Sequence, residues 1–259
     1  MDETQIIGLI PAAGEGTRLG LPYPKELQPL MSDTGFRPVS QFAVEALVRG
    51  GADEVVFVIN ETKAQLIQYF GDGSAFGCNL SYAVQQRGKR SEDARSPGLA
   101  DALDAAYHLI RGRTVLFAMA DTILLPEDIF RQMIQNAGDA NFVLGLFPVS
   151  RPEKFGMVDH DSEGRVNQII DKPQGPCALT HAWGCIAWDA QFTEHLHRCV
   201  HELKMGDFAQ IMNLAIDSGL GACVHRPEGA RYFDMGSYDE VLEATIWYAD
   251  QQQSTEPSR

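Results

Sequence analysis

Residues Pro11–Lys25 read PAAGEGTRLGLPYPK and carry the densest phosphate chemistry in the chain. The apolar run Ile6–Ile10 feeds a small-residue loop, Ala12-Ala13-Gly14-Glu15-Gly16-Thr17, and two cations follow: Arg18 at once, and Lys25 behind Pro24. Glycines let backbone N–H groups approach oxygen atoms closely, and fixed cations balance the charge of a polyphosphate. The stretch therefore predicts a nucleoside triphosphate as guest, cradled by Ala12, Ala13, Gly14, Gly16 and Thr17. Glycine spacing alone does not settle this, because a glycine-rich turn after a strand is also an ordinary tight connection. Leu19 stands where a dinucleotide fingerprint needs its third glycine, and no Gly-Lys-Ser/Thr follows as a Walker loop requires. The first departure speaks against a Rossmann dehydrogenase.

Two further acidic positions follow apolar runs. Ala118-Met119-Ala120-Asp121 ends one, and Tyr232-Phe233-Asp234-Met235-Gly236 lies near the end of the chain. In an open parallel sheet, ligands bind outside the carboxyl ends of the strands, which places Asp121 on the same edge as the glycine loop. On position alone each aspartate is equally a turn or helix-capping residue.

Gly14-Glu15-Gly16-Thr17-Arg18 followed by Pro24-Lys25-Glu26-Leu27-Gln28-Pro29 resembles the G-x-G-T-R, spacer, P-K-x-x-x-P signature of the nucleotidyltransferases that activate sugar 1-phosphates. The spacer Leu19–Tyr23 is shorter than in the thymidylyl and uridylyl sugar enzymes and more like that of the methylerythritol-phosphate cytidylyltransferases. The resemblance implies a sugar 1-phosphate and a nucleoside triphosphate, dTTP or UTP, giving a nucleotide-sugar and pyrophosphate. It implies Mg²⁺ held by Asp121 and Asp234, with Ala120 replacing the glycine that precedes the family's first aspartate. Arg18 would neutralise the departing pyrophosphate, Lys25 would bridge to the α-phosphate, and Lys172 would hold the attacking phosphate.

Downstream segments extend the resemblance. Asp171-Lys172-Pro173 is similar to the family's Glu-Lys-Pro, with an acid one methylene shorter. Phe155-Gly156-Met157-Val158 resembles the Tyr-Gly-Val-Val of the sugar pocket, and Trp183-Gly184 stands where a small pair is frequent. The acceptor set is thus Gly156, Asp171, Lys172, Trp183 and Gly184. Gly98, in Ser96-Pro97-Gly98-Leu99-Ala100, matches the helix start that contacts the base, and Gln85 or Gln86 takes the place of the base-reading glutamine. The charged insert Arg87–Arg95 reads either as a surface loop or as a flap closing over phosphate.

These residues need a frame. Val39, Phe42, Ala43, Ala46 and Leu47 make a helix stripe stopped by Gly50-Gly51, and Val55–Ile59 is a buried strand. Lys63–Phe70 reads as a short helix, Leu80–Val84 as a strand, Leu99 to Ile110 as a continuous helix, and Val115–Met119 as a strand. Pro126-Glu127-Asp128 opens a further helix. This alternation predicts an α/β fold: a Rossmann-like, mostly parallel mixed sheet with helices on both faces. The second half changes character. Strands over Phe142–Pro148, Met157–Asp161, Val166–Ile170 and Ala182–Trp188 precede helices near 190–203 and 207–218, short strands near 222–226 and 230–234, and a last helix with Ser237-x-x-Glu240 as capping box. Residues 1–250 read as one domain with a small hairpin-and-helix lobe over the ligand edge, and 251–259 as a polar tail.

A net charge of −14 over 259 residues argues against nucleic acid or an anionic membrane as partner. It also requires a polyanionic substrate to be met by concentrated cations and a metal. The acidic start and the lack of an ~18-residue apolar run predict neither signal peptide nor membrane span, so the cytoplasm is the expected location. The partners expected are a triphosphate and a phosphorylated small-molecule acceptor, with self-association possible. The five cysteines are widely spaced without a C-x-x-C and read as reduced core thiols. His195, His197, Cys199 and His201 look metal-like, and His197 and His201 stand i, i+4 on a helix. No ligand at standard spacing completes the set, so a solvated helix face is the expectation. Two competing functions remain: a cytidylyltransferase acting on a non-sugar phosphate or phosphonate, and a catalytically silent nucleotide-binding scaffold.

Overall fold

The protein is described by a computed structural model covering residues 5–16, 19–32, 35–85 and 97–255. The first half runs β1 (Ile6–Pro11), β2 (Pro29–Ser32), β3 (Gly35–Pro38), α1 (Val39–Arg49), β4 (Glu54–Ile59), α2 (Ala64–Phe70), β5 (Asn79–Val84), α3 (Leu99–Asp104), α4 (Tyr107–Ile110), β6 (Thr114–Ala118), β7 (Thr122–Leu125) and α5 (Ile129–Gln135). The second half runs β8 (Phe142–Pro148), β9 (Gly156–His160), β10 (Val166–Asp171), β11 (His181–Trp188), α6 (Ala190–His201), α7 (Phe208–Asp217), β12 (Ala222–His225), β13 (Arg231–Asp234) and α8 (Tyr238–Thr255).

A nine-stranded mixed sheet organises the molecule, with β10-β9-β11-β6-β1-β4-β5 in order and β8 and β12 continuing from β11. The half built on β1 is parallel: β4 and β6 flank β1, and β5 follows β4. The second half joins it antiparallel through β11 against β6. Alternation along the strands explains the two helical layers. Ile7, Leu9, Val56, Val58, Val115 and Phe117 enter the core beneath α3, α4, α6 and α7. Ile10, Val55, Phe57, Ile59, Leu116 and Ala118 enter the opposite core beneath α1, α2 and α5. Both faces being covered, the strands read as continuous apolar runs.

Three features differ from the sequence reading. The stripe from Leu99 to Ile110 is split into α3 and α4, because the Ala106 N–H turns to the carbonyl of Leu103 at 3.2 Å rather than continuing the i−4 ladder. Its apolar side nevertheless stays in the core. Two short ribbons also arise, β2–β3 and β7–β13, and with α8 they enclose a third core of Leu30, Val39, Phe42, Ile123, Phe233, Met235, Ala244 and Tyr248. The helix α8 continues through Thr255, into the polar stretch.

Candidate active site

The C-terminal ends of β1, β4, β5 and β6 share one edge of the parallel half, and the glycine loop, Gln85 and Asp121 follow three of them there. The Ala12 N–H donates to the Val58 carbonyl at 2.7 Å, which keeps the loop in register with β4. Asn60, buried just past β4, donates from Nδ2 to the Ala13 carbonyl at 2.6 Å. Its Oδ1 accepts from the Thr62 N–H and hydroxyl at 2.9 and 2.7 Å, which fixes the amide's orientation. Gly14 is exposed. Gly16 has φ +65°, a conformation favouring glycine, and a Cβ there would stand 3.3 Å from Lys25 Cγ. The loop is thus seated on the aliphatic stem of Lys25. Thr17, Arg18, Gln86 and the insert Arg87–Arg95 lie outside the described residues.

Asp121 lies just past β6, after Met119 and Ala120, and is 5% exposed. Asp234 ends β13, where it faces Thr122 of β7, and the Met235 N–H donates to the Asp121 carbonyl at 2.9 Å. The short β7–β13 ribbon therefore sets side by side two carboxylates that are far apart in sequence. Lys25 Nζ donates to an Asp121 carboxylate oxygen. Burial pulls the Lys25 pKa down, but the Asp121 carboxylate, with Glu26 and Asp234 adding to it, outweighs burial and leaves it above its ordinary value. Tyr232 lies just beneath: burial, then Asp234 and Asp121, push its phenol well above the usual range. Two adjacent carboxylates fit Mg²⁺, which takes one or two such ligands and completes its shell with phosphate oxygens and water.

Sequence reasoning missed what lies under Lys25. Residues Lys25–Leu27 form one 3₁₀ turn that sends Lys25 towards Asp121 and Glu26 into the interior. There Lys63 Nζ donates to both Glu26 oxygens, at 2.9 and 2.7 Å, with both residues at most 3% exposed. Burial pushes the Glu26 pKa up, more than Lys63 draws it down. The Ser40 hydroxyl holds the Glu26 carbonyl at 2.7 Å. The available signal was a second lysine, Lys63, just beyond the strand that carries Asn60.

The acceptor set occupies three neighbouring strands. Asp171 faces Gly156 across β9–β10, and Ala182 faces Met157 across β9–β11. Close approach explains the glycines: a Cβ on Gly156 would stand 2.3 Å from Trp183 Nε1, and one on Gly184 would stand 2.7 Å from the Tyr232 ring. Trp183 thus closes over β9 and packs on Phe117 and Phe208. Its buried indole N–H has no hydrogen-bond partner among the described residues.

Lys172 adopts a left-handed φ of 45°, its N–H bonds the Phe155 carbonyl at 3.0 Å, and its ammonium lies 3.6 Å from Asp171. It does not join the Lys25–Asp121 pair directly. Phe155 stands edge-on to Tyr232 with centroids 5.9 Å apart, which connects the Lys172 backbone to the floor under Asp234. Of the residues expected to contact a base, the Gln85 N–H bonds the Ile59 carbonyl at 2.8 Å, and the Gly98 N–H donates to the Asp101 carboxylate at 2.7 Å.

Past Gly236, Ser237 starts α8 and its hydroxyl donates to Glu240 at 2.7 Å. Glu240 also reaches Arg151 and Lys154, both at 3.2 Å. Burial raises Glu240, but Ser237 and Lys154, with Arg151 adding, hold its carboxyl below the usual range. The α8 start is thereby tied to the loop that precedes β9.

A parallel sheet with a glycine loop, a lysine and two convergent carboxylates on its edge is the frame of a nucleotidyl-transfer fold. Residues 7–251 match the model of the nucleotidyl transferase family, and the chain belongs to that family. It is 32% identical over 250 residues to a glucose-1-phosphate thymidylyltransferase of Neisseria gonorrhoeae, covering 92% of this chain and 80% of that one. It is 31% identical over 193 residues to a glucose-1-phosphate thymidylyltransferase of an Actinoplanes species, covering 72% of this chain. The aligned part spans 59% of the length of that relative. Among solved structures, a UDP-glucose pyrophosphorylase in complex with UDP-glucose superposes with a TM-score of 0.76 at 21% identity, over 95% of this chain and 99% of that one. No helix among the described residues is long and apolar enough to cross a membrane.

Proposed function

We propose that the chain transfers a nucleotidyl group from dTTP or UTP to a sugar 1-phosphate, releasing pyrophosphate, with Mg²⁺ as cofactor and residues 1–250 acting as one domain. The juxtaposition of Asp121 and Asp234 beside Lys25 carries this reading. The names of the relatives support the acceptor class and the donor pair. A cytoplasmic location and self-association complete the proposal. Met31 and Phe36 on the β2–β3 ribbon and Leu242 and Ile246 on α8 leave apolar surface that suits the latter.

The chemistry is an in-line substitution. An acceptor phosphate oxygen forms a bond to the α-phosphorus as the bond from that phosphorus to the bridging oxygen breaks, and pyrophosphate leaves with the electron pair. The attacking oxygen is already anionic, so no general base is required. Repulsion between two polyanions and the spread of charge at phosphorus are the obstacles, which makes positioning and electrostatics the source of rate. Asp121 and Asp234 would hold Mg²⁺, which when bound supplies charge neutralisation at the phosphate oxygens.

The chain's own groups do the rest. Asn60 keeps the Ala13 carbonyl turned away from the guest, leaving the loop's N–H groups for phosphate oxygens. Lys25, held charged by its carboxylate neighbours, supplies a fixed cation at the α-phosphate. Arg18 receives the leaving pyrophosphate. Lys172 and Asp171, at the end of β10, hold the acceptor's phosphate and hydroxyls, with Gly156, Trp183 and Gly184 as the wall behind it. Pyrophosphate release, measured with each of dTTP, UTP, CTP, ATP and GTP against glucose 1-phosphate and a panel of alcohol phosphates and phosphonates, tests the reading. Turnover with dTTP or UTP and a sugar 1-phosphate is expected. Activity confined to CTP with a non-sugar acceptor, or magnesium-independent nucleotide binding without product, would overturn it.

A further inference from the structure

The helix α6 carries His197 and His201 one turn apart, and the fold supplies the third group that sequence spacing does not show. Asp104, at the end of α3, places Oδ1 2.8 Å from His197 Nδ1 and Oδ2 2.7 Å from His201 Nε2. One ligand atom from each of the three residues lies within 4.8 Å of the others. The remaining members of the histidine cluster are not on the solvated face expected for them. His195 and Cys199 are buried, with His195 Nε2 3.2 Å from the Ile211 carbonyl.

We infer that Asp104, His197 and His201 form a binding site for a transition-metal dication of the zinc class, pinning α3 to α6. Protein bonds to zinc are about 2.0–2.2 Å long, so ligand atoms around a tetrahedral ion sit roughly 3.3 Å apart, within small side-chain rotations of the spacing here. The site has further support of its own. The Asp104 side chain is only 8% exposed, so its carboxylate is held between the helices, while His201 at 58% leaves a route for the ion and for water as remaining ligand. The Tyr107 ring stacks on His197, centroids 3.7 Å apart and planes within 7°, and its hydroxyl is bound to Glu194 at 2.8 Å. Such outer contacts fix the orientation of a ligating imidazole.

The donor set differs in kind from the one near Lys25. Two imidazoles and one carboxylate suit zinc, cobalt, nickel or copper, whereas paired carboxylates with phosphate suit magnesium. The two sites therefore sort their ions by chemistry. Because Gly98, the proposed base contact, immediately precedes α3, the ion would also stiffen that side of the nucleotide site.

The test is competition for Zn²⁺ between the metal-stripped full chain and a chromophoric chelator, in millimolar Mg²⁺, with Co²⁺ absorption as a second readout. Losing an outer contact alone typically costs about 10–100-fold in metal affinity, so losing a direct ligand through His201→Ala or Asp104→Asn is expected to cost at least about 100-fold. His201 is exposed, so its variant retains the fold, and zinc should raise the melting temperature of the parent but not of this variant. Asp121→Asn should keep the zinc affinity. Zinc affinity unchanged in both His201→Ala and Asp104→Asn, absent in the parent, or lost on removing Asp121 instead, each overturns the proposal.

Discussion

Lys63→Met isolates the contribution of the ion pair under the Lys25–Leu27 turn. The variant strips the Glu26 carboxylate of its cation while leaving it in the interior, since the two residues are 1% and 3% exposed and joined by two hydrogen bonds. Breaking a pair of this kind from one side costs about 3–5 kcal/mol. For a chain of this size, about 2–4 °C per kcal/mol turns that into a fall in melting temperature of roughly 6–20 °C. An exposed pair would be worth about 0–1 kcal/mol and is easily told apart.

The pH dependence has a definite sign. Burial already raises Glu26 against the pull of Lys63, and without that lysine only its backbone hydrogen bond and the Lys25 charge still oppose burial. Between the ordinary carboxylate pKa, about 4.3, and the raised one, the native state binds a proton that the unfolded state has released. Stability therefore falls as pH rises through that window, and the deficit relative to the parent should be larger at pH 8 than at pH 5. Urea unfolding at both values gives the numbers by linear extrapolation. Turnover should fall with stability, because Lys25 shares the turn. Replacing both partners, Glu26→Met with Lys63→Met, should recover most of the loss, since apolar replacement of a buried pair is often neutral or better. A single variant within about 1 kcal/mol of the parent at both pH values would refute the argument.

Other outcomes follow from the site. Arg18→Ala and Asp121→Ala should each lose about 100-fold or more in turnover, the usual cost of removing a preorganised charge, while circular dichroism shows the fold intact. Steady-state kinetics of Lys172→Ala should show KM rising for the phosphorylated acceptor and staying unchanged for the triphosphate, because Lys172 follows β10 and not the strand that feeds the glycine loop. In Gly184→Ala the added methyl meets the Tyr232 and Phe147 rings at 2.7 and 2.8 Å, and chemical denaturation should register about 1–3 kcal/mol of overpacking.

Much of the frame was legible because both faces of the sheet are covered, which writes the parallel strands as plain apolar runs such as Val55–Ile59 and Val115–Phe117. The short ribbons were not legible. The strand β7 is four residues long, begins right after Asp121 and has no turn signal of its own, so only its partner β13 defines it. The candidate site divides in the same way. Gly16, Lys25 and Asp121 were found from local pattern, and their meeting follows from strand order. Lys63 and Asp104 were invisible because their roles depend on partners 37 and about 95 residues away, brought close by packing that no spacing rule encodes. The pairing of Lys172 with its own neighbour Asp171 was likewise a matter of backbone conformation, the left-handed φ, rather than of composition.

The ribbon that joins β7 to β13 also sets an order of assembly. A ribosome delivers the glycine loop, Lys25 and Asp121 well before β13, and the parallel strands can begin to pair at once. Asp234 and the Met235 amide that anchors it emerge only after β8 to β12 have been made. A nascent polypeptide short of residue 234 thus carries Asp121 without its neighbour across the ribbon, and its glycine loop can exist well before that edge is complete.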